Sequence, residues 1–356
     1  MSVPASQPQP GRVVLFGSGE TSASGSKIFQ SLSPQLARPL RMAVLETPAG
    51  FELNSAQVAG RVADFLTTRL QNDRPAVAVV PARKRGTAFS PDLPEIVAPL
   101  QTASLIFMGA GSPTYAVRQL RESLAWHTLQ AAHRQGATIV FASAATLAAS
   151  ARTLPVYEIY KVGDDLHWRD GLNFLAPFGL PLVLIPHWNN AEGGAELDTS
   201  RCFMGQGRFT ELRALLPAEQ TIVGIDEHTA LVIDLAAETC EVMGSGAVTL
   251  LTPNSERIQQ FVARESFALT GLGAYQLPKT QADIPAAVWD DVAQARQTPA
   301  DETAVPDEVA VLVDERAIAR AQRDWPKADA VRARLAELGW QVKDSPAGPV
   351  VEPLKK

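Results

Sequence analysis

The sequence predicts an α/β fold built on a mostly parallel, doubly wound sheet, followed by a small C-terminal helical hairpin module. Two observations predict the sheet. Short apolar runs recur through the first half of the chain, and longer stretches with helical period lie between them. Apolar runs without alternation are typical of parallel strands that helices cover on both faces.

Six apolar runs are the candidate strands of this sheet. In chain order they are residues 12–16, 41–45, 76–80, 104–108, 137–141 and 182–185. Helical periodicity marks residues 55–70 and 116–134 between them. The pattern changes at Thr221, where a shorter strand is followed by residues 239–251. That second segment predicts a β-hairpin around Gly244-Ser245-Gly246 that closes the edge of the sheet.

The C-terminal part of the chain has a different organisation. Residues 277–306 have linker composition, with four prolines among Gln, Asp, Thr and Ala. Residues 307–338 are predicted to be helical, interrupted at Trp325-Pro326 and capped by Gly339. The apolar stripe of these helices runs through Val309, Leu312, Val313, Ile318, Ala328, Val331, Leu335 and Leu338. Residues 340–353 predict a small hairpin that turns at Ala347-Gly348.

These patterns divide the chain into four segments. We expect a disordered tail over 1–10, a large α/β domain over 11–276, a linker over 277–306 and a helical hairpin module over 307–356. With 46% hydrophobic and 20% charged residues, the composition excludes global disorder.

Charge and cysteine content exclude several functional classes. The net charge of −6 argues against a general nucleic-acid binder or a binder of anionic membranes. Two cysteines, Cys202 and Cys240, are too few for a disulfide scaffold or a four-cysteine zinc site. The sequence shows neither a membrane-spanning run nor a secretory signal, so a cytoplasmic protein without a membrane partner is expected.

Polar residues follow the predicted strands at their carboxyl ends, where open parallel sheets bind ligands. They are Gly17–Glu20, Glu46, Gly109–Gly111, Ser143, His187 and Asp226–His228. A serine becomes nucleophilic when an imidazole takes its proton, and an acid fixes the tautomer of that imidazole. From the residues alone, Ser143 is more typical of a helix N-cap than of a nucleophile. His187 is also compatible with a core histidine and Glu227 with a structural ion pair.

Four segments carry a resemblance to a known family. Residues 107–112 (FMGAGS), 141–146 (FASAAT), 185–189 (IPHWN) and 224–230 (GIDEHTA) resemble the cyanophycinase and dipeptidase E family of serine peptidases. That family has the class I glutamine amidotransferase-like fold. The resemblance covers roughly residues 11 to 253.

The resemblance implies roles for particular residues. Ser143 would be the nucleophile and His187 the base, while Glu227 would be the acid in the cyanophycinase branch and Glu158 in the dipeptidase E branch. The backbone amides of Ala144 and of the turn Gly109-Ala110-Gly111 would form the oxyanion hole. Family members cleave peptide bonds next to acidic residues, often without a metal or cofactor, and none is expected here.

The chain departs from the family at the turn that carries the nucleophile. The family turn reads glycine, any residue, serine, alanine, glycine, whereas Phe141 and Ala145 replace the two glycines here. These glycines permit a strained turn and close packing of helix against strand.

Two polar and aromatic segments, residues 157–164 and 187–194, are predicted to line the pocket. We expect Tyr157, Glu158, Lys161 and Asn189 to contact substrate. Arg201 or Arg208 would bind a substrate carboxylate through two hydrogen bonds.

The C-terminal module resembles the C-terminal end of cysteinyl-tRNA synthetases over about residues 307 to 352. The resemblance rests on residues 315–335, on Leu338-Gly339 and on residues 344–348. It implies a module for RNA contact or docking and no ligase activity, because the chain lacks a synthetase ATP-binding signature. Six basic and seven acidic side chains over residues 307–338 do not favour phosphate binding.

The sequence therefore predicts a serine-type hydrolase that cleaves a peptide or a small amide by a Ser-His-Glu triad. The alternative is a catalytically inactive protein that keeps the pocket and engages tRNA or a protein partner through its C-terminal module. A homodimer is left open.

Overall fold

The computed structural model describes residues 9–252, 258–278, 281, 283–297, 307–322, 324–345 and 348–354. The chain divides into two compact units, residues 1–296 and 297–356. Three sequence-based predictions fall partly outside the described residues: residues 1–8 of the tail, residues 298–306 of the linker, and Ala347 in the C-terminal turn.

The strands of the first unit are β1 (Val13–Phe16), β2 (Arg41–Leu45), β3 (Ala76–Val80), β4 (Leu105–Met108), β5 (Thr138–Ala142), β6 (Arg152–Thr153), β7 (Arg169–Asp170), β8 (Val183–Ile185), β9 (Ile222–Ile225), β10 (Thr229–Asp234), β11 (Thr239–Gly244), β12 (Ala247–Leu251), β13 (Gln259–Val262) and β14 (Ser266–Ala268). The second unit contains β15 (Trp340–Ser345) and β16 (Gly348–Pro353).

The helices are α1 (Ala23–Leu32), α2 (Ser55–Arg69), α3 (Pro94–Thr102), α4 (Pro113–Leu120), α5 (Leu124–Arg134), α6 (Ala144–Ala149), α7 (Gly205–Ala214) and α8 (Ala286–Gln297) in the first unit, and α9 (Asp307–Ala321) and α10 (Trp325–Glu337) in the second.

The larger sheet has eight strands within the described residues, in the order β14-β11-β10-β1-β5-β4-β2-β3. Five neighbouring strands run parallel to one another: β1, β5, β4, β2 and β3. On the other side of β1, the strands β10, β11 and β14 extend the sheet through antiparallel pairs. The fold class predicted from the apolar runs is therefore confirmed.

Alternate side chains of the central strands enter two apolar layers. In β1, Val13 and Leu15 belong to the layer that contains residues of α3 and α5, whereas Val14 and Phe16 belong to the layer that contains residues of α1 and α2. Because both faces are covered, every position of the strand must be apolar. This explains why the sequence shows uninterrupted runs.

A second sheet corrects the prediction for the segment 182–185. Strand β8 lies in a four-stranded sheet of the order β13-β12-β9-β8 within the described residues. One face of this sheet adds Leu184 and Val223 to the core under the larger sheet, and the other face covers a separate cluster with Val183 and Ile222. The pattern of a doubly buried strand is the same in either sheet, so the sequence predicted the strand and not its sheet.

The predicted hairpin over residues 239–251 is wrong. Strand β11 pairs with β10 in the larger sheet, while β12 pairs with β9 in the second sheet. The chain crosses between the sheets at Gly244, whose φ of 113° and close approach to the His228 carbonyl leave no room for a side chain.

Two helical predictions also need correction. The helical pattern over 116–134 is broken because Ser123 caps α5 and Glu122 has a φ of 56°. Part of the predicted linker folds as α8, and its Trp289 and Val292 are buried in the core of the first unit. Proline-rich composition had hidden the apolar spacing of this short helix.

The second unit follows its predicted pattern closely. Helices α9 and α10 pack with the β15–β16 hairpin around a small core of Val309, Val313, Val331, Leu335, Trp340 and Val342. Asp324 caps α10, and Gly339 follows its end with a φ of 83°. Ile318 differs from the predicted stripe because its side chain is exposed. Within the described residues, no helix is long and apolar enough to cross a membrane.

Candidate active site

Ser143 stands at the sharp turn between β5 and α6. Its backbone has a φ of 53° and a ψ of −113°, a conformation that non-glycine residues rarely adopt. The turn points the hydroxyl away from the strand, above the carboxyl end of the parallel sheet. This is the geometry that strand-to-helix turns give to a nucleophile.

Ser143, His187 and Glu227 form a continuous hydrogen-bonded chain. Ser143 Oγ lies 2.9 Å from His187 Nε2, and His187 Nδ1 lies 2.7 Å from Glu227 Oε1. An ionised carboxylate only accepts hydrogen bonds, so Nδ1 carries the hydrogen of a neutral ring. Nε2 is then left as the acceptor for the serine hydroxyl. The arrangement can therefore take a proton from Ser143 and hold the resulting imidazolium against Glu227.

The end of β1 fixes the backbones that carry these side chains. The amide of Ser143 donates to the Phe16 carbonyl and that of His187 to the Gly17 carbonyl, both at 3.3 Å. The Gly17 amide donates to the Thr229 carbonyl at 2.9 Å, two residues after Glu227. A Cβ at Gly17 would lie 2.1 Å from the carbonyl oxygen of Asp226. Only glycine fits at this junction.

Two asparagines hold Glu227 in place. Asn190 Nδ2 donates to Glu227 Oε1 at 2.9 Å, and the Glu227 amide donates to Asn189 Oδ1 at 2.8 Å. Burial alone would raise the pKa of Glu227, but the hydrogen bonds from His187 and Asn190 outweigh it and lower the pKa. The carboxylate is thus ionised at neutral pH.

The four residues predicted for the oxyanion hole differ in whether they line the cavity that contains Ser143. Ala144 and Gly111 line the same cavity as Ser143 and His187. Gly109 is buried, and its carbonyl accepts a hydrogen bond from the Ala145 amide at 3.3 Å, which ties this turn to α6. Ala110 is exposed. Of the four predicted residues, Ala144 and Gly111 are therefore the better placed to offer amides to an oxyanion.

The two substitutions in the nucleophile turn are accommodated by packing. Phe141 is fully buried, with its ring 5.1 Å from that of Phe174 and 6.4 Å from that of Trp126. The methyl group of Ala145 is also fully buried in the same apolar layer. The strained backbone of Ser143 is thus formed without either family glycine.

A cavity of about 220 Å³ opens beside Ser143 and His187. Tyr157 and Lys161 line it, as the sequence predicts. The ammonium group of Lys161 lies 5.1 Å from the centre of the Tyr160 ring. Both predicted residues are exposed, so they form the mouth of the cavity and not its floor.

Glu158 lies in a different environment from the one expected of a triad acid. Its Oε1 accepts a hydrogen bond from the Thr114 hydroxyl at 2.5 Å. It lines a larger cleft of about 1580 Å³, which shares Tyr157 with the smaller cavity. The sequence left Glu227 and Glu158 open as partners of the imidazole. The carboxylate that is hydrogen bonded to His187 is that of Glu227.

Asn189 and Arg201 have other partners than a substrate. The amide oxygen of Asn189 accepts the Glu227 amide, so this side chain orders the acid-bearing turn. The guanidinium of Arg201 lies 4.0 Å from the centre of the Trp188 ring, and its Nη1 donates to the Trp188 carbonyl at 2.9 Å. The stacking and the Nη1 hydrogen bond hold the guanidinium against the protein, and substrate binding by Arg201 stays a prediction.

The sequence did not single out Asn190 and Phe203, whereas Glu20 belongs to the predicted strand-end set Gly17–Glu20. Asn190 falls in a segment that was expected to line the pocket, but nothing in its pattern shows that it holds Glu227. The ring of Phe203 lies 5.8 Å from that of His187, although neither strand nor motif precedes it. Burial raises the pKa of Glu20, while the nearby imidazoles of His187 and His228 oppose that rise.

Comparison with solved structures supports the fold of the first unit. A peptidase from an acI-B1 Actinobacterium superposes with a TM-score of 0.59 and 21% sequence identity, over 74% of this chain and 98% of that protein. This likeness confirms the predicted resemblance at the level of the fold.

Comparison of sequences supports the resemblance of the C-terminal segment. The family model of the cysteinyl-tRNA ligase anticodon binding domain matches residues 302–348. Cysteine--tRNA ligase of Chlamydia caviae is 44% identical over 50 residues, which are 14% of this chain and 10% of that protein. Cysteine--tRNA ligase 1 of Burkholderia lata is 50% identical over 44 residues, 12% of this chain and 9% of that protein. The chain thus spans about a tenth of the length of these relatives.

Removing the Asn190 side chain tests how the acid is held. Asn190→Ala is expected to raise the pKa of Glu227 and to lower the free energy of unfolding by about 1 kcal/mol at neutral pH. The pKa of Glu227 is lower in the folded protein than in the unfolded chain, where it is about 4.3. The stabilisation by the Asn190 hydrogen bond is therefore fully present above that pKa and is lost as the pH falls through the pKa of the folded protein. Urea unfolding at pH 7 and at about pH 3 measures the difference.

Asn54→Ala is the matched control, because Asn54 is exposed and its side chain makes no capping hydrogen bond. Its effect on stability should not change between the two pH values. An Asn190→Ala penalty that is equal at both pH values would contradict the role of Asn190 as a donor to an ionised Glu227.

Proposed function

We propose that this protein is a serine-type hydrolase that cleaves peptide or amide bonds, with Ser143 as nucleophile, His187 as general base and Glu227 as the acid. The observation that carries the proposal is the hydrogen-bonded chain from Ser143 Oγ through His187 to Glu227 Oε1. The solved protein that shares the fold is described as a peptidase, which agrees with this chemistry.

The reaction follows from the positions of these groups. Ser143 Oγ attacks the carbonyl carbon while His187 Nε2 takes the hydroxyl proton, and the amides of Ala144 and Gly111 stabilise the oxyanion. The carbon–nitrogen bond breaks as His187 gives its proton to the leaving amine. Water then attacks the acyl-serine ester, and His187 takes a proton from that water. Release of the carboxylate returns the proton from His187 to Ser143 Oγ.

Ser143→Ala tests the nucleophile. The variant should fold normally, because the change removes one oxygen atom from a partly exposed turn. Turnover of a peptide library, followed by mass spectrometry, is expected to fall on the order of 10⁴-fold or more. A fluorophosphonate probe should label wild-type Ser143 and leave the variant unlabelled. Equal inactivity of both proteins, without labelling of Ser143, would end the proposal.

Glu227→Gln and Glu158→Gln together identify the acid. The first change leaves His187 Nδ1 beside a neutral amide and favours the wrong tautomer, so kcat should fall by roughly 10³–10⁴-fold. The loss for Glu158→Gln should be much smaller, since its carboxylate is bonded to Thr114. Kinetics of the two variants on one substrate make the comparison, and a reversed order of effects would assign the acid to Glu158.

A second candidate function belongs to the C-terminal module. We infer that it engages tRNA, because residues 302–348 match a family model described as an anticodon binding domain. Trp325 is 53% exposed at the start of α10, and the Arg320 guanidinium lies 5.5 Å from the centre of its ring, so the pair offers an aromatic and cationic surface for a base. Stacking of one base on an aromatic ring contributes about 1–3 kcal/mol.

Binding of a fluorescent tRNA transcript to the full chain tests this candidate. At low salt the wild type should bind, and Trp325→Ala should weaken binding by about tenfold. Phe51→Ala, which removes an exposed ring from the other unit, is the matched control and should bind as the wild type does. Undetectable binding of the intact chain at low salt would remove the candidate.

A further inference from the structure

The cavity of about 220 Å³ controls access to the serine hydroxyl. Ser143, His187, Ala144 and Gly111 all lie in its wall. The wall thus holds both the nucleophile and the amides assigned to the oxyanion, so this cavity is the adjoining space for the side chain beside the attacked carbonyl. The chemistry of the remaining wall therefore selects the residue on the acyl side of the bond.

The floor of the cavity is apolar and rigid. Leu147, Val156 and Cys202 contribute to it, and their exposed fractions are 1%, 8% and 2%. All three belong to one packed cluster that continues under the second sheet. Burial raises the pKa of the Cys202 thiol to about 12, so the sulfur stays protonated and neutral. The rings of Tyr160 and Phe203, 5.5 Å apart, complete the wall.

The charges around the cavity disfavour an acidic side chain. Apart from His187, the ionisable acid and base among its described lining residues are Glu192 and Lys161, which carry opposite charges. Both side chains are exposed at the mouth of the cavity. The Lys161 ammonium is already placed over the Tyr160 ring. Glu227 lies directly behind His187 and adds negative charge. A buried carboxylate would lose its hydration without gaining a buried cation.

The volume limits the size of the side chain. An apolar cavity of roughly 150 Å³ is sufficient to bind benzene. At about 220 Å³, this cavity has room for one aromatic ring or one branched aliphatic side chain. A side chain of that kind removes the apolar surface of Leu147 and Val156 from water.

We propose that the cavity beside Ser143 is the acyl-side specificity pocket and that it takes a neutral apolar side chain such as that of Phe or Leu. The substrates are then peptides or amides cleaved after an apolar residue. This inference rests on the proposed hydrolase function, and it departs from the acidic preference that the family resemblance implies.

Reactive phosphonates test the preference without requiring turnover. The probes are diphenyl α-aminoalkylphosphonates whose side chains copy Phe, Leu, Ala, Asp and Lys. Labelling forms a bond between Ser143 Oγ and phosphorus and expels phenoxide, while His187 transfers the hydroxyl proton to give phenol. We expect the Phe and Leu probes to label the wild type at least about tenfold faster than the Asp and Lys probes.

Val156→Phe tests the pocket itself. The larger ring fills the cavity, so the Phe and Leu probes should slow by at least about tenfold relative to the Ala probe. Val162→Phe is the matched control: the same substitution six residues later, at a side chain that is 75% exposed, should keep the wild-type ranking. Should Val156→Phe fail to fold, Val156→Ala widens the cavity and should raise the rate ratio of the Phe probe to the Leu probe.

The outcomes separate the two proposals. Fastest labelling by the Asp or Lys probe, or equal rates for all five, would overturn the pocket assignment. If a fluorophosphonate without a side chain still labels Ser143 in that case, the hydrolase proposal stands. If neither the fluorophosphonate nor any side-chain probe labels Ser143, both proposals fail.

Discussion

The end of β1 is the junction on which the site depends. The carbonyls of Phe16 and Gly17 accept the amides of Ser143 and His187, and the Gly17 amide binds the strand that follows Glu227. Three chain segments that lie far apart in the sequence are therefore held by main-chain hydrogen bonds to two adjacent residues. Because these bonds involve only main-chain atoms, the backbone positions of Ser143, His187 and Glu227 do not depend on contacts between their side chains.

This anchoring also explains how two unfavourable backbone conformations persist. Ser143 and His187 have φ values of 53° and 50°. Residues held in such conformations cost of order 1–3 kcal/mol each and persist only where the surroundings determine them. Here each strained residue donates its amide to the end of β1, while α6 and its buried alanines fix the following turn. Phe141 contributes by filling the core below the turn, a function that glycine would not perform.

Sequence patterns predicted the features that follow from local burial. The parallel strands β1 to β5 were found because covering both faces leaves only apolar residues. Ser143 and His187 were singled out because they follow strands, although β5 and β8 belong to different sheets. Sequence patterns failed where the structure of a segment depends on which distant strand it pairs with. Nothing in the apolar run of β8 distinguishes one buried sheet from another, and Gly244-Ser245-Gly246 has the composition of a hairpin turn but carries the chain between sheets. Phe203 reaches His187 through a loop whose path only tertiary contacts determine.

The separation of charges around Ser143 follows from the same architecture. Glu227, which follows β9, accepts hydrogen bonds from His187 and Asn190, so its carboxylate lies behind the imidazole. Glu158 sits on the far side of Tyr157, in a cleft that also contains Lys84, Arg118, Arg121, Arg152 and Arg169. The large cleft thus contains five basic side chains beside the carboxylates of Glu52, Glu158 and Asp170, so opposite charges partly compensate one another there. The smaller cavity, which contains Ser143, has Leu147, Val156 and Cys202 in its wall, with Lys161 and Glu192 exposed at its mouth. The two cavities therefore differ in their balance of apolar and charged side chains.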